Sequence, residues 1–152
     1  MNAQGGVQAY RGNYCDLDPT YRDVDGQPLM RITFDWGYNE HKQSAYMAGI
    51  HAKIVHALGA TDASINQIPK HYDVVPYQST HNTGGTIMGP HPDTSVVNKY
   101  GQSWDVPNVF VTGAGLFPQN AGYNPTGTVG ALTFHTADAF VHRYLKHQGA
   151  MA

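Results

Sequence analysis

The sequence predicts an α+β chain, on three observations. An alternating segment, Leu29 to Trp36, follows an Asp25-Gly26 hairpin signal. A helical period runs from Asn39 to Leu58, and a strand–loop–helix succession runs from Val106 to about His147. The 152 residues, 41% hydrophobic and 13% charged, are enough for a packed core, while 17 Gly and 9 Pro imply many turns and long loops.

The first element is a half-buried strand. Leu29, Thr33 and Asp35 alternate with Met30, Ile32, Phe34 and Trp36, the period of two that separates the faces of a sheet. The next is a helix, with Asn39 as its cap, Glu40 in its first turn and Gly59 at the position that favours a left-handed residue. Tyr46, Met47, Ile50, Ile54, Val55 and Leu58 form its core-facing stripe. Residues 60–70 read as a connector. Tyr72 to Tyr77 reads as a possible short strand that Pro76 confines to an edge or end. His81 to Gly101 is rich in Gly, Pro and Asn and reads as a loop, of a length that is usually either functional or disordered.

Val106 to Thr112 reads as a buried strand with Pro107 at its start. After the loop 113–123, a helix opens at Asn124-Pro125-Thr126, with Asn124 as cap and Pro125 just inside. It carries Val129, Leu132, Ala139, Phe140 and Tyr144, and ends in Arg143, Lys146 and His147, which suit the negative end of the helix dipole. A helix start of this kind presents backbone N–H groups to an electron-rich ligand.

A net charge of -2 without a run of basic residues gives no electrostatic reason for a nucleic-acid partner. The single cysteine, Cys15, excludes an internal disulfide or a cysteine-based cluster and reads as a small, at least half-buried side chain. The opening residues show no secretory signal, and no segment approaches the roughly 18 apolar residues of a membrane span. His51/His56 and His142/His147 are each five apart, which is wrong for a helical zinc pair, so no metal site is expected. Neither a Gly-x-Ser-x-Gly elbow nor a phosphate-binding Gly-Lys-Ser/Thr loop is present.

Gly113-Ala114-Gly115 follows the predicted strand, but Leu116-Phe117-Pro118 comes next, so the dinucleotide fingerprint fails. A tight turn and a close backbone approach to a ligand both remain open there. His81 sits on a polar, Gly-flanked loop. It reads either as a loop hydrogen-bonding group or as a base of the kind alcohol oxidation needs.

Two stretches, HNTGGTIMG from His81 and VFVTGAGLFPQNAGYNPTGTVGAL from Val109, resemble the C-terminal region of glucose-methanol-choline (GMC) flavoprotein oxidoreductases. LDPTYRDVDGQPLMRITFDW resembles the strand-rich part of that family's substrate domain. The resemblance implies that residues 1–80 are the C-terminal part of a substrate-binding domain. Residues 81–152 would be the C-terminal part of an FAD-binding domain with its catalytic loop. The N-terminal Gly-rich FAD loop of the family is not in this sequence.

Carried over residue by residue, the resemblance makes His81 the base and Asn124 its partner at the substrate oxygen. Gly113 and Ala114 would lie along the FAD, and the backbone of Asn124, Pro125 and Thr126 would face the flavin. The family pattern His-x-x-Gly-Thr is one residue longer here, and aligning on Gly85-Thr86 points to Asn82 instead. Many members carry a second histidine where Asn124 stands.

Within the family, the wording is similar to flavoprotein subunits of bacterial membrane-bound gluconate, sorbitol and fructose dehydrogenases. This implies oxidation of an alcohol, polyol or sugar acid, with hydride passing to flavin N5. It also implies a cytochrome c subunit and a small subunit as partners, on the periplasmic side of the inner membrane. Alone, the chain is expected to bind FAD weakly and not to turn over. Two other readings stand beside this one: a non-catalytic truncated chain, or a separate subunit completing a flavin site in a partner. A carbohydrate-binding module using Tyr10, Tyr14, Trp36 and Trp104 as stacking platforms is a third.

Overall fold

The structure is a computed structural model that describes residues 3–75 and 81–151. The chain divides into two compact units, Met1–Gln78 and Ser79–Ala152.

The first unit holds an antiparallel hairpin, β1 (Tyr14–Arg22) and β2 (Pro28–Thr33), and one long helix, α1 (Tyr38–Ala57). Register runs from Tyr14 opposite Thr33, through Leu17 opposite Met30, to Arg22 opposite Pro28. The ladder is irregular between Leu17 and Arg22, where Pro19 has no N–H to give. Asp18 repairs the gap, its Oδ1 accepting the amides of Thr20 at 2.8 Å and Tyr21 at 2.9 Å. Those two donors hold the Asp18 carboxyl below the ordinary aspartate range. At the turn, Asp23 Oδ1 accepts from Asp25 and Gln27, each at 2.9 Å, and Gly26 takes φ 79°.

β2 stops at Thr33, three residues short of the sequence expectation. Past that point Asp35 trades backbone pairing for side chains: its N–H donates to Asn13 Oδ1 and its carbonyl accepts from Asn13 Nδ2, both at 3.0 Å. Its carboxylate accepts from the Tyr72 amide at 2.8 Å and lies 2.7 Å from His71 Nδ1. The His71 contact, then the amides of Tyr72 and Trp36, hold the Asp35 carboxyl down at about 2. Phe34, Trp36 and Tyr72 meet edge to face at centroid distances of 4.9–5.6 Å. Residues 72–75 form no strand, and Pro76 and Tyr77 lie outside the described residues.

The cap of α1 is Gly37, and Asn39 stands two residues inside. Glu40 decides this: at the third helical position its Oε2 accepts the Gly37 N–H at 3.0 Å while Oε1 accepts the Gln8 N–H at 2.9 Å. Burial by itself would raise the Glu40 carboxyl. The Gln8 amide, the Tyr10 hydroxyl and the Gly37 amide outweigh it and hold the group below the ordinary glutamate range. The predicted stripe is only partly inward. Met47, Ile50 and Val55 are half-buried, whereas Tyr46 and Leu58 are 69% and 79% exposed. Cys15 is exposed too, on a strand with no second sheet layer among the described residues.

Among its described residues, the second unit has helices and loops but no strand. The expected strand Val106–Thr112 is absent: Val106 and Val109 are about half exposed, and regular pairing shrinks to an isolated bridge between Gln102 and Phe110. A strand is stable only beside another strand, and the described residues of this unit supply none. Helix α2 (Thr126–Ala139) begins at Pro125, whose carbonyl accepts the Val129 amide at 2.9 Å. Asn124 therefore precedes the cap and is not the cap itself. α2 also ends eight residues before His147, passing into a π-turn over Phe140–Tyr144. The π-turn lets Phe140 and Tyr144 both meet Phe110, at 5.1 and 5.0 Å.

The core of this unit is small: Val97, Tyr100, Leu116, Phe117 and Ala139, with buried Asn98, Gln102 and Thr136. Gln102, 1% exposed, uses its whole amide. Its Nε2 donates to the carbonyls of Pro107 and Gly149, each at 2.7 Å. Its Oε1 accepts from Met151 N at 2.8 Å and Asn98 Nδ2 at 3.2 Å. Among the described residues, no helix is long and apolar enough to cross a membrane.

Candidate functional site

The site is built in the second unit around one short turn. Gly113 takes φ 98°, a conformation open to glycine at little cost, and the chain then enters a 3-10 turn over Ala114–Leu116. The turn's successive carbonyls face the loop that starts at His81. Gly84 donates to Ala114 O at 3.3 Å, Thr86 to Gly115 O at 3.0 Å and Met88 to Leu116 O at 2.9 Å. A Cβ on Gly115 would lie 2.6 Å from Thr86 Oγ1, so glycine permits this close approach. Three hydrogen bonds thus lay the predicted base loop along the predicted cofactor turn.

His81 is half-buried and takes φ 62°, the left-handed region that few non-glycine residues occupy. Its carbonyl accepts from Asn120 Nδ2 at 2.7 Å. Asn120 in turn lines a cleft of about 320 Å³ together with Phe117, Tyr123, Asn124, Pro125 and Thr128. Of the six residues singled out from sequence, the cleft wall includes Asn124 and Pro125. His81, Gly113, Ala114 and Thr126 are not on that wall; His81 is linked to it through Asn120. Asn120 and Thr128 escaped the sequence reading. The available signal was a polar amide, Gln119-Asn120, inside an otherwise Gly- and Pro-rich loop.

No side chain caps α2 at its N-terminus, so the cleft borders on uncommitted helix-start amides. A larger groove of about 650 Å³ lies in the first unit, between α1 and residues 64–68, and includes Glu40, Ser44, Met47 and His51. None of the predicted site residues lines it. No group of three metal-binding side chains occurs among the described residues. Of the four aromatic platforms, Trp36 packs in its ring cluster and Trp104 Nε1 donates to Ser95 Oγ at 2.9 Å, whereas Tyr14 is 48% exposed.

A family match to GMC oxidoreductase extends over residues 10–133. The chain belongs to the GMC oxidoreductase family. The matched span runs through β1 and α1 into α2 and includes every predicted site residue. Among curated relatives, the chain is 50% identical over 153 residues to a gluconate 2-dehydrogenase flavoprotein of Pantoea cypripedii. That alignment covers 99% of this chain and 25% of the relative. It is 31% identical over 132 residues to a 2-methyl-1,2-propanediol dehydrogenase of Mycolicibacterium austroafricanum, covering 87% of this chain and 23% of that protein. It is also 31% identical over 128 residues to the fructose dehydrogenase large subunit of Gluconobacter japonicus, covering 83% and 22%. The chain spans about a quarter of the length of these relatives. This GMC segment thus pairs a hairpin and helix with a loop-built second unit.

Proposed function

We propose that this chain forms the C-terminal, catalytic part of an FAD-dependent dehydrogenase that oxidises a CH–OH group of an alcohol, polyol or sugar acid. The observation that carries the reading is the run of three hydrogen bonds from Gly84, Thr86 and Met88 onto the 114–116 turn. It sets the His81 loop beside the 113–116 turn, which by the family resemblance would lie along the cofactor.

The residues present fit one side of a flavin. The α2 start has no side-chain cap, Pro125 contributes no N–H of its own, and the cleft beside them is bordered by Asn120, Asn124 and Thr128. Gly113 has open space where a Cβ would stand. The backbone of Asn124, Pro125 and Thr126 would border the ring, and Gly113 and Ala114 would run along the FAD chain. When bound, FAD supplies the two-electron acceptor for the hydride of the substrate carbon. The chain's own part is to take the hydroxyl proton on the His81 imidazole and to hold the substrate oxygen with the Asn124 amide, which donates a hydrogen bond but cannot act as a base. The helix-start dipole favours negative charge at its N-terminus.

The relatives' names support a sugar-acid, sugar or diol substrate. By the same resemblance, electrons leave to a cytochrome c subunit, with a small subunit present, on the periplasmic side of the inner membrane. To test the assignment, this chain replaces the corresponding quarter of the Pantoea cypripedii gluconate 2-dehydrogenase flavoprotein, and gluconate oxidation is followed with an artificial acceptor. Turnover in the chimera that falls at least about 100-fold in His81→Gln supports His81 as the base. Unchanged turnover in that variant sinks it, and the same loss in Asn82→Ala instead would move the role to Asn82.

A second reading, a chain that completes a flavin site in a partner, is favoured by the hairpin. Leu17, Met30 and Ile32 are each about two-thirds exposed there, an apolar patch that a partner would cover. Recovery of the 152-residue chain as a monomer when co-expressed with neighbouring GMC-like chains would count against it.

A further inference from the structure

We infer that Asn120 is a positioning residue: its side-chain amide holds His81 in the left-handed backbone conformation that sets where the imidazole sits. The inference rests on the reading of His81 as the base, and goes beyond it by naming what places that base.

A non-glycine residue at φ 62° persists only where the surroundings impose it. The three hydrogen bonds onto the 114–116 turn begin at Gly84, so His81 lies outside them. Asn120, 39 positions along the chain, reaches the His81 carbonyl directly, and 2.7 Å is at the short end for an N–H donor to a carbonyl. The bond restrains the peptide that follows His81 and, through it, the backbone of His81. If φ returned to the ordinary negative region, the Cα–Cβ bond would swing round the chain and carry the imidazole with it.

The residue type suits the task. An asparagine amide offers two donors on a short side chain with little freedom, whereas aspartate at the same place can only accept and would face the carbonyl with like charge density. Asn120 is four residues before Asn124, and both line the same cleft. One loop, 117–124, thus supports the base through its backbone and presents the proposed partner of the substrate oxygen. Misplacing a reacting group by about 1 Å can cost on the order of 100-fold in rate, so a bond that touches no substrate can still matter to turnover.

The test uses the isotopically labelled 152-residue chain, with His81 assigned by its loss in His81→Gln. The α- and carbonyl-carbon shifts of His81 report its backbone angles, and amide exchange at Gly84, Thr86 and Met88 reports whether the neighbouring hydrogen bonds survive. Asn120→Asp is expected to move the His81 shifts away from left-handed values with those amides still protected, and Asn120→Ala to move them less. Where Asn120→Asp loses the protection as well, Asn120→Ala decides by the same shifts. Left-handed His81 shifts retained in every variant that keeps the amides protected would overturn the inference.

In the FAD-loaded enzyme that carries this chain, Asn120→Asp is expected to lower kcat about 10- to 100-fold with KM little changed. A change in KM alone would overturn the positioning role. Full turnover in His81→Gln would remove the assigned base, yet the shift measurement would still decide what Asn120 does to the backbone.

Discussion

The hairpin–helix unit and the loop-built unit reach order by opposite routes. In the first, regular elements come from local pattern, and carboxylates tie their ends: Asp18 at the gap in β1, Asp23 at the turn, Asp35 beyond β2 and Glu40 at the start of α1. Much of its apolar surface stays open, with Tyr21, Met30 and Ile32 each more than 60% exposed. In the second, little is regular outside α2, yet the centre is closed over a fully bonded amide pair, Asn98 and Gln102. The contrast shows that burial and regularity are separate properties. A loop can be well packed when side-chain amides satisfy its backbone, and a hairpin can be well formed with both faces in solvent.

Gln102→Leu should break this comparison hardest. It removes the partners of the Pro107 and Gly149 carbonyls, of the Met151 amide and of one Asn98 bond, in a part-buried network around a buried side chain. A loss of about 3 kcal/mol or more is expected in urea unfolding followed at Trp104 in a Trp36→Phe background. A loss under about 1 kcal/mol would mean water replaces the amide there. Phe110→Ala removes the ring against which Phe140 and Tyr144 pack, and about 2 kcal/mol is expected by the same readout, less than for a fully buried ring.

Glu40→Gln sharpens the other side of the comparison. It keeps the shape but weakens the charge-assisted bonds to Gln8 and Gly37, for an expected loss of about 1 kcal/mol, read by α1 helicity in circular dichroism. The same bonds have a pH signature. The folded Glu40 carboxyl titrates below its ordinary 4.5, so their contribution is complete above that value and fades as pH falls through the lowered folded value. Wild type should therefore lose helicity on acidification below pH 4.5, and Glu40→Gln should lose less; equal losses would remove Glu40 from the account. The smallest effect is expected for Asp16→Asn. Asp16 and Arg31 form a cross-strand pair, but their side chains are 35% and 43% exposed, and no change in the unfolding midpoint beyond measurement error is expected. A clear loss there would show that the hairpin depends on its ion pair.

The sequence by itself determined the hairpin, through the Asp25-Gly26 turn and the alternation that follows, and the long helix before Gly59. It also determined membership of the GMC family, through long ordered matches in the His81 and Val109 segments. These are local facts: period, turn chemistry and residue order are all written along the chain. Only the tertiary structure decided that Val106–Thr112 is not a strand, because a strand needs a neighbour that no local pattern reveals. It also moved the helix caps from Asn39 to Gly37 and from Asn124 to Pro125. Asn39 and Asn124 are good caps by composition, yet Glu40 reaching back to the Gly37 amide and the first bond accepted by Pro125 set where each helix begins. The link from Asn120 to His81 was out of reach for the same reason. A hydrogen bond spanning 39 residues has no period, and its two ends meet only when the chain is folded.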